Sequence, residues 1–381
     1  MHGTFRIPEM IVSESFMRRT TFRFPVTTLA GSTLRNIRGL QETHEVEAKY
    51  RTKFLLSKSV AGIFEIFNLA ERIVWGKRIR AYRPGKPPVF IIGFWRSGTT
   101  LLHNILCQDP EAAYTTTFQT VFPNLILTQG WWLKPLINHF LPSRRPYDNV
   151  SMDVDFPQEE DFGLMNLQPN TIYKFFIFPG EFDRIVDKNL FTGNLPPDKL
   201  ARWETAYRSM IAKAVFNTGG SRYIGKNPCH LTRTSLLMEM FPGAKFIFIH
   251  RHPCLVVESL YHFIRSIFPG VQLQDVPESF SREQVACLYA RIMDAYFRDR
   301  EQIPPSDLIT LKMDDFTMDI MGNMRMIYEK FDLGDFNKVS ERFTRFLDQN
   351  PRPEHNSTFP SDETIRLVKI YASDISRELG Y

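Results

Sequence analysis

Residues 89–106 read VFIIGFWRSGTTLLHNIL, an apolar run followed by a loop between two glycines and a helix-forming segment. The run VFII is rich in β-branched residues and predicts a short strand. After the loop, residues 99–108 (TTLLHNILCQ) have the composition of a helix. We therefore predict strand, loop and helix in this order, with the loop at the carboxyl end of the strand.

The same alternation recurs further along the chain. Strands are predicted at RYIGK (222–226), KFIFIH (245–250) and DLITLKM (307–313). Helices are predicted at 231–240 and at 255–264, with a proline suited to the first helical turn just before the latter. We predict an α/β fold with a central, largely parallel sheet flanked by helices, and ligands bound beyond the carboxyl ends of its strands.

We expect one domain over residues 1–381, in five consecutive parts. These are an N-terminal helical extension (1–87), the phosphate-loop unit (88–111), an insertion (112–200), the second half of the sheet (201–330) and a C-terminal helical region (331–381). The insertion has no clear strand–helix rhythm, so we expect it to be mostly helical or irregular. We expect it to recognise the second substrate, and an inert structural insertion is the alternative.

Residues 54–80 predict an amphipathic helix. Ile63, Phe67 and Val74 lie near helical spacing, and the segment ends with the cationic sequence KRIR at 77–80. We expect this helix to pack on the main sheet. Docking on a membrane surface is the alternative.

The composition, with 43% hydrophobic and 23% charged residues, is that of a globular protein. The net charge of +5 is spread along the chain, which argues against a nucleic-acid partner but suits an anionic ligand. Four cysteines without a CxxC pair favour a reducing compartment. No stretch approaches the roughly 20 apolar residues of a membrane span. We expect a cytoplasmic bacterial enzyme, and the oligomeric state stays open.

The loop from Gly93 to Thr100 has the G-x-x-x-x-G spacing of a phosphate-binding P-loop. Its glycines let successive backbone N–H groups and the next helix N-terminus face an anion. Thr99 stands where such loops normally carry lysine, and Arg96 inside the loop supplies the positive charge instead. P-loop hydrolases use that lysine and Mg²⁺ on a γ-phosphate. The loop therefore favours a ligand without a γ-phosphate, and we predict no metal.

The segment FIIGFWRSGTTLLHNIL resembles the 5′-phosphosulfate loop of sulfotransferases that use 3′-phosphoadenosine 5′-phosphosulfate (PAPS), in particular the bacterial branch with RSGTT in this loop. In FIFIHRHPCLVVESLYHF, Arg251 at a strand end and Ser259 eight residues later resemble the family's 3′-phosphate element. Ser259 lies about two helical turns along, so both can reach one phosphate. The resemblance implies the sulfotransferase fold, with adenosine 3′,5′-bisphosphate as product. It implies a PAPS site formed by Arg96, Ser97, Gly98, Thr99, Thr100, Arg251, Ser259 and Arg352.

By the same resemblance, Arg96 and Lys226 in YIGKNPCH stabilise the charge that develops during transfer. The base that accepts the proton of the acceptor hydroxyl is left open. His230 is one candidate, although it follows Lys226 by four residues where related animal enzymes have a histidine after two. Glu160 or Glu159 is the leading candidate, because like-charge neighbours raise a carboxyl pKa. A solvated acidic face or helix N-cap is the alternative.

The insertion also carries bulky apolar residues that predict a wall for an apolar pocket. They are Trp131, Trp132, Leu133 and Phe140. The signatures are similar to those of gut-bacterial enzymes, some of which sulfate sterols, so we expect a hydrophobic alcohol such as a 3-hydroxysteroid as acceptor. The alternatives are a small-molecule kinase that uses ATP and Mg²⁺, and a nucleotide-binding module without catalysis.

Overall fold

The computed structural model describes residues 26–140, 153–350 and 359–381. Within these residues the strands are β1 (Val89–Ile92), β2 (Ala112–Ala113), β3 (Arg222–Lys226), β4 (Lys245–His250) and β5 (Leu308–Lys312). The α-helices are α1 (Leu34–Thr43), α2 (Arg51–Ala81), α3 (Thr99–Leu106), α4 (Thr117–Val121), α5 (Gly130–Phe140), α6 (Glu160–Leu167), α7 (Phe182–Asn189), α8 (Pro197–Thr218), α9 (Thr234–Met240), α10 (Pro253–Val271), α11 (Arg282–Asp299), α12 (Met313–Met318), α13 (Ile320–Phe331), α14 (Phe336–Gln349), α15 (Asp362–Tyr371) and α16 (Ser373–Glu378). Strands alternate with helices through much of the chain, which confirms the predicted α/β class.

The sheet has the strand order β2–β3–β1–β4–β5, and every neighbouring pair is parallel. Ile91 pairs with Lys226 on one side and with Ile247 on the other. His250 of β4 pairs with Lys312 of the outermost strand, β5. Because all five strands run the same way, the residues that follow β1, β3, β4 and β5 gather at one edge of the sheet. This edge holds the phosphate loop, Lys226 and Arg251.

Strand β1 is a continuous apolar run and is buried throughout, because helices cover both faces of the sheet. In β1, Phe90 and Ile92 belong to the larger core cluster, with β3, β4, α8, α10 and α11. Val89 and Ile91 face the other way and pack with α3, α13 and α14. The alternation of side chains along β1 thus joins two helical layers through one strand.

Helix α2 corresponds to the predicted amphipathic helix at 54–80. It lies against the turn at Thr28–Gly31, α1 and α8. The helix therefore packs on other helices, and the expectation that it packs on the main sheet is wrong. Glu71 anchors its buried face by an ion pair to Lys213 at 2.9 Å and by accepting the N–H of Leu127 at 2.9 Å. None of the helices in the described parts of the chain combines the length and the hydropathy that a membrane span requires.

Two local expectations need correction. The insertion does contribute to the sheet, because Ala112–Ala113 forms β2 and pairs with the start of β3. Two alanines carry no β signal of their own, and only the pairing makes them a strand. The helix expected at 231–240 is split into a 3-10 turn (Pro228–Thr232) and α9. The break lies at Arg233, whose backbone (φ −145°) leaves the helical region.

Candidate active site

The phosphate loop is a tight turn between β1 and α3, lying on the ends of neighbouring strands. A Cβ at Gly93 would lie 2.4 Å from the carbonyl oxygen of Ile249, so only glycine fits there. Gly98 has φ +97°, and a Cβ on it would lie 2.1 Å from the sulfur of Met313. Arg96 also has a left-handed backbone, with φ 69°, which is uncommon outside glycine and frequent in ligand-binding loops.

The loop directs the N-terminus of α3 towards the edge of the sheet. Ser97 donates its hydroxyl to the carbonyl of Phe94 at 2.7 Å, which closes the turn. The N-cap residue of α3 is Gly98, which has no side chain to accept the first N–H groups of the helix. Thr99 and Thr100 form the first turn of this helix. Unfilled N–H groups at a helix N-terminus favour an anion, and phosphate is a common one.

The two predicted half-sites meet in the folded chain. Arg96 Nε donates to the hydroxyl of Ser259 on α10 at 3.0 Å, across 163 residues of sequence. The Arg96 guanidinium also lies 5.0 Å from the centre of the Phe263 ring, one turn further along α10. Arg251 follows the last residue of β4 and is half-buried at the same edge. The structure therefore brings the loop cation and the predicted 3′-phosphate element close together.

A buried carboxylate that sequence reasoning missed holds α10 in place. Glu258 accepts hydrogen bonds from Arg282 at 2.9 Å, from the Ser361 hydroxyl at 2.9 Å and from Thr364. Burial alone would raise the pKa of Glu258, but hydrogen bonds from Arg282, Thr364 and Ser361 outweigh it and lower the pKa to about 2. These bonds tie α10 to α11 and α15, immediately beside Ser259. The only sequence signal was its position one residue before a predicted ligand.

Lys226 ends β3 and forms an ion pair with Glu159. Its Nζ lies 2.5 Å from Glu159 Oε1, and the side chains of Lys226 and Glu159 are 3% and 12% exposed. Tyr173 donates its hydroxyl to the other carboxylate oxygen of Glu159. Burial and the nearby Glu159 charge raise the pKa of Tyr173 well above its usual value, so this hydroxyl stays protonated. Glu159 is therefore a carboxylate held between a cation and a phenol, and it keeps partial access to solvent.

Glu160 lies next in sequence but in a different environment. It is fully buried and accepts from the Tyr223 hydroxyl at 2.9 Å. Its Oε1 lies 3.5 Å from His230 Nε2, and His230 is also fully buried. Arg233 Nε donates to His230 Nδ1 at 3.1 Å, which places the ring proton on Nε2. Burial lowers the pKa of His230, so the ring is neutral.

The two leading candidates for the general base, Glu159 and Glu160, thus lie in different environments. Glu160 and His230 lie close together in the interior and both are fully buried, so neither is placed to take a proton from a bound hydroxyl. Glu159 is the carboxylate that contacts Lys226. The difference arises because Glu159 is the N-cap residue with an extended backbone (φ −78°, ψ 131°), whereas Glu160 is the first residue of α6, so the two side chains face different neighbours.

Asp161 completes the acidic run and also faces inwards. It accepts from Asn227 at 2.5 Å and from the Thr171 hydroxyl at 2.7 Å, and it pairs with Arg233. Arg233 in turn lies 4.8 Å from the centre of the Trp203 ring. Because Asn227 follows Lys226 directly, this network fixes the backbone that carries Lys226.

Several other predicted positions lie away from the site. Trp131 is 81% exposed, whereas Leu133 belongs to an apolar cluster that Trp132 covers, so these three residues do not form one pocket wall. The Phe140 side chain and Arg352 lie outside the described residues. The four cysteines are unpaired thiols, as expected from their spacing.

Comparison with known proteins defines the class of this enzyme. The chain belongs to the sulfotransferase family, whose model matches residues 87–337, about two thirds of the sequence. The match includes the phosphate loop, Glu159, Lys226, Arg251 and Ser259. The chain is thus a PAPS-dependent sulfotransferase, and the kinase alternative is not supported.

The chain resembles mycobacterial sulfotransferases in particular. It is 27% identical over 317 residues to omega-hydroxy-beta-dihydromenaquinone-9 sulfotransferase Stf3 of Mycobacterium bovis, covering 82% of this chain and 80% of that protein. The Mycobacterium tuberculosis protein of the same name matches to the same extent. The solved structure of sulfotransferase STF9 from Mycobacterium avium has a TM-score of 0.61 at 19% identity, covering 90% of this chain and 89% of that one. STF1 from Mycobacterium tuberculosis H37Rv has a TM-score of 0.60 at 14% identity, covering 89% of this chain and 92% of that one, and both structures share the fold.

Proposed function

We propose that this enzyme transfers the sulfuryl group of PAPS to the hydroxyl of a hydrophobic, lipid-like alcohol, with Glu159 as general base and Lys226 as the cation beside it. The observation that carries the proposal is the contact between Arg96 and Ser259. This contact supports the proposal because it links the loop that we assign to the 5′-phosphosulfate with the element that we assign to the 3′-phosphate. A nucleotide with phosphates on both the 5′ and 3′ positions fits such a site, whereas ATP has no 3′-phosphate.

The residues present fit the donor. A side chain at Gly93 or Gly98 would fill the loop, and the N-terminus of α3 presents N–H groups to an anion. In our proposal the backbone of residues 97–100 holds the 5′-phosphate, and Arg251 with Ser259 holds the 3′-phosphate. Arg96 contacts Ser259, so it lies where one guanidinium can reach both ends of the nucleotide. Bound PAPS supplies the sulfuryl group that is transferred.

The catalytic chemistry needs a base for the acceptor proton and cations for the charge that develops in transfer. Glu159 is the carboxylate paired with Lys226, and its side chain is 12% exposed. Lys226 lies at the carboxyl end of β3, beside the end of β1 from which the phosphate loop departs. We assign Lys226 and Arg96 to stabilise the transition-state charge, and Glu159 to accept the hydroxyl proton.

Lys226 and Glu159 form an ion pair in which both side chains are nearly buried. Two oppositely charged side chains that are nearly buried stabilise each other only while both are charged and in contact. An anionic sulfuryl group near Lys226 competes with Glu159 for the lysine. Binding of the donor thereby frees the carboxylate to accept a proton, which couples activation of the base to occupancy of the site.

The acceptor is proposed as a lipid-like alcohol because the relatives in Mycobacterium are named for a hydroxylated dihydromenaquinone. The aromatic residues around Glu159 give its surroundings an apolar character, since Tyr173 packs against Phe162 at 4.7 Å and Trp95 at 6.0 Å between ring centres. A long isoprenoid alcohol and a 3-hydroxysteroid both match this description. We also keep a cytoplasmic location in the proposal, since all four cysteines are unpaired.

The test is a turnover assay with purified enzyme and PAPS. The acceptor panel contains an ω-hydroxylated dihydromenaquinone, a 3-hydroxysteroid and a short phenol, and release of adenosine 3′,5′-bisphosphate is measured together with the mass of the product. We expect sulfation of at least one of the two lipid alcohols, and little of the phenol. No turnover with any alcohol despite tight binding of the bisphosphate indicates a non-catalytic module, and phosphate transfer from ATP with Mg²⁺ indicates a kinase.

Variants separate catalysis from folding in this assay. Lys226→Ala and Arg96→Ala are expected to lose about 10²–10³ in kcat, while the melting transition stays cooperative. Lys199→Ala on the exposed start of α8 is the matched control and should keep the parent rate. Equal rates in all three variants would remove Lys226 and Arg96 from the mechanism.

A further inference from the structure

The outer face of helix α2 carries a row of exposed apolar side chains. The row consists of Leu55, Ile63, Ile66, Leu69, Ile73 and Val74. These side chains are between 47% and 75% exposed. At 3.6 residues per turn they fall within an arc of about 140°, and the row is about 28 Å long. A contiguous apolar face of this size on a folded chain marks a surface that binds something.

The other face of α2 is firmly attached to the body of the protein, so the row is a fixed feature. Phe64 and Phe67 pack on an apolar cluster with Phe122, and the Phe64 and Phe122 ring centres are 5.4 Å apart. Glu71 is buried in its ion pair with Lys213. The opposite face of α2 already packs on the body of the protein. The exposed row is therefore not needed for the core.

Cationic side chains lie near both ends of the exposed row on α2. The helix carries cations near both ends, including Arg51 at its start and Lys77 and Arg80 in its last turns. Its two acids do not lie in the arc of the row: Glu65 accepts the N–H of Leu34 at 3.3 Å, and Glu71 is buried. An apolar face bordered by lysine and arginine is the pattern of helices that lie in the interface of an anionic bilayer.

We propose that α2 docks the enzyme on the surface of an anionic lipid bilayer, with the exposed row inserted among the lipids and the cations on the headgroups. A second copy of the chain is a poorer occupant. Both ends of α2 are cationic, so a partner helix laid along it in either direction places cation against cation. An anionic lipid surface satisfies both the apolar row and its cations.

A second exposed apolar side chain suits a lipid interface. Trp131 is the second residue of α5, three residues after Thr128, whose backbone N–H donates to Glu71 at 3.3 Å. Its indole is 81% exposed. Tryptophan is enriched at membrane–water interfaces because its ring is apolar and its N–H is polar. Trp131 is therefore a second exposed side chain that a lipid interface would accommodate.

The proposal goes beyond the proposed function and does not require it, because binding is measured without donor or acceptor. A lipid acceptor would be encountered at such a surface. If the enzyme binds membranes but sulfates no lipid, only the proposed acceptor is refuted. If the enzyme sulfates a detergent-dispersed lipid but binds no vesicles, only the proposed membrane docking of α2 is refuted.

The experiment is flotation with vesicles of phosphatidylcholine alone and of equimolar phosphatidylcholine and phosphatidylglycerol. We expect the full chain to float with the anionic vesicles, and high salt to weaken the binding. The double variant Ile66→Glu/Ile73→Glu should lower the partition coefficient about tenfold or more. Lys77→Gln/Arg80→Gln should lower it about tenfold or more on the anionic vesicles alone.

The matched control is Ile370→Glu/Met318→Glu, which places the same change at two exposed apolar positions on α15 and α12. It should float like the parent, and melting curves of all variants should coincide. Absence of flotation, or equal flotation of the Ile66→Glu/Ile73→Glu and control variants, overturns the proposal. It is also overturned if the chain binds no vesicles but forms a dimer in sedimentation equilibrium that Ile66→Glu/Ile73→Glu dissociates.

Discussion

The substitution Glu159→Gln tests the division of roles between two adjacent glutamates. The glutamine side chain keeps the shape of the glutamate and can still accept from Tyr173, but it cannot take a proton. If Glu159 is the general base, kcat falls by about 10²–10⁴, which corresponds to about 2.7–5.5 kcal/mol in the activation barrier. The loss appears in kcat for every accepted alcohol, because the proton is removed from each of them.

The same substitution has a separate effect on stability. Lys226 is only 3% exposed and loses its ion-pair partner in the variant. Removing one partner of a buried ion pair costs about 3–5 kcal/mol, and we expect the lower end because Glu159 keeps some solvent access. An anionic ligand restores a partner to Lys226. Adenosine 3′,5′-bisphosphate is therefore expected to raise the melting temperature more in Glu159→Gln than in the parent.

Glu160→Gln is the matched control, since the same chemical change is made one residue away. It disturbs the interior bonds to Tyr223 and His230, so it should lower the melting temperature and leave kcat within about threefold of the parent. Rates are measured as bisphosphate release at saturating PAPS and acceptor, and stability by thermal melting with and without bisphosphate. The assignment of Glu159 fails if Glu159→Gln retains the parent kcat, or if Glu160→Gln loses more of it.

Three further outcomes follow from the geometry. Gly98→Ala requires a left-handed alanine whose Cβ meets Met313, so it should raise the KM for PAPS and cost about 1–2 kcal/mol; Met313→Ala in addition should return part of the stability and not all of it. Glu258→Gln should weaken PAPS binding through Ser259 with little change in kcat, seen as a KM-against-kcat split in the steady-state assay. Burial lowers the pKa of His103 to about 3. Below pH 6.5 the unfolded chain then binds a proton that the folded chain does not, and stability falls by up to about 2 kcal/mol between pH 7 and pH 5. Unfolding in urea should show this loss in the parent, and His103→Gln should reduce it.

Much of the donor site could be predicted from local sequence. The strand VFII, the glycine spacing and the helix after it are short-range features, and a phosphate loop is built by the backbone of consecutive residues. Arg251 and Ser259 were recognised together because their segment resembles the 3′-phosphate element of the family, which is also a short-range motif. The fold class followed from the alternation of strands and helices, which depends on neighbours in the chain.

Other parts of the site depend on residues that are far apart in sequence. Glu258 gains its role only because α11 and α15 bring Arg282 and Thr364 to it. The strand Ala112–Ala113 exists only through its pairing with β3. No window of sequence contains either relationship, so local patterns could not predict them.

The sequence by itself determined the phosphate loop and the resemblance to PAPS-dependent sulfotransferases, because the motifs that carry both are short stretches of neighbouring residues. Only the tertiary structure distinguished Glu159 from Glu160, two identical side chains at adjacent positions. Glu159 is the extended N-cap residue of α6 and contacts Lys226, whereas Glu160 begins the helix and contacts Tyr223 in the interior, so the end of the helix gives the two carboxylates different partners and different burial. The exposed row on α2 is likewise a tertiary result, since the same apolar pattern in the sequence also describes a helix buried on both faces.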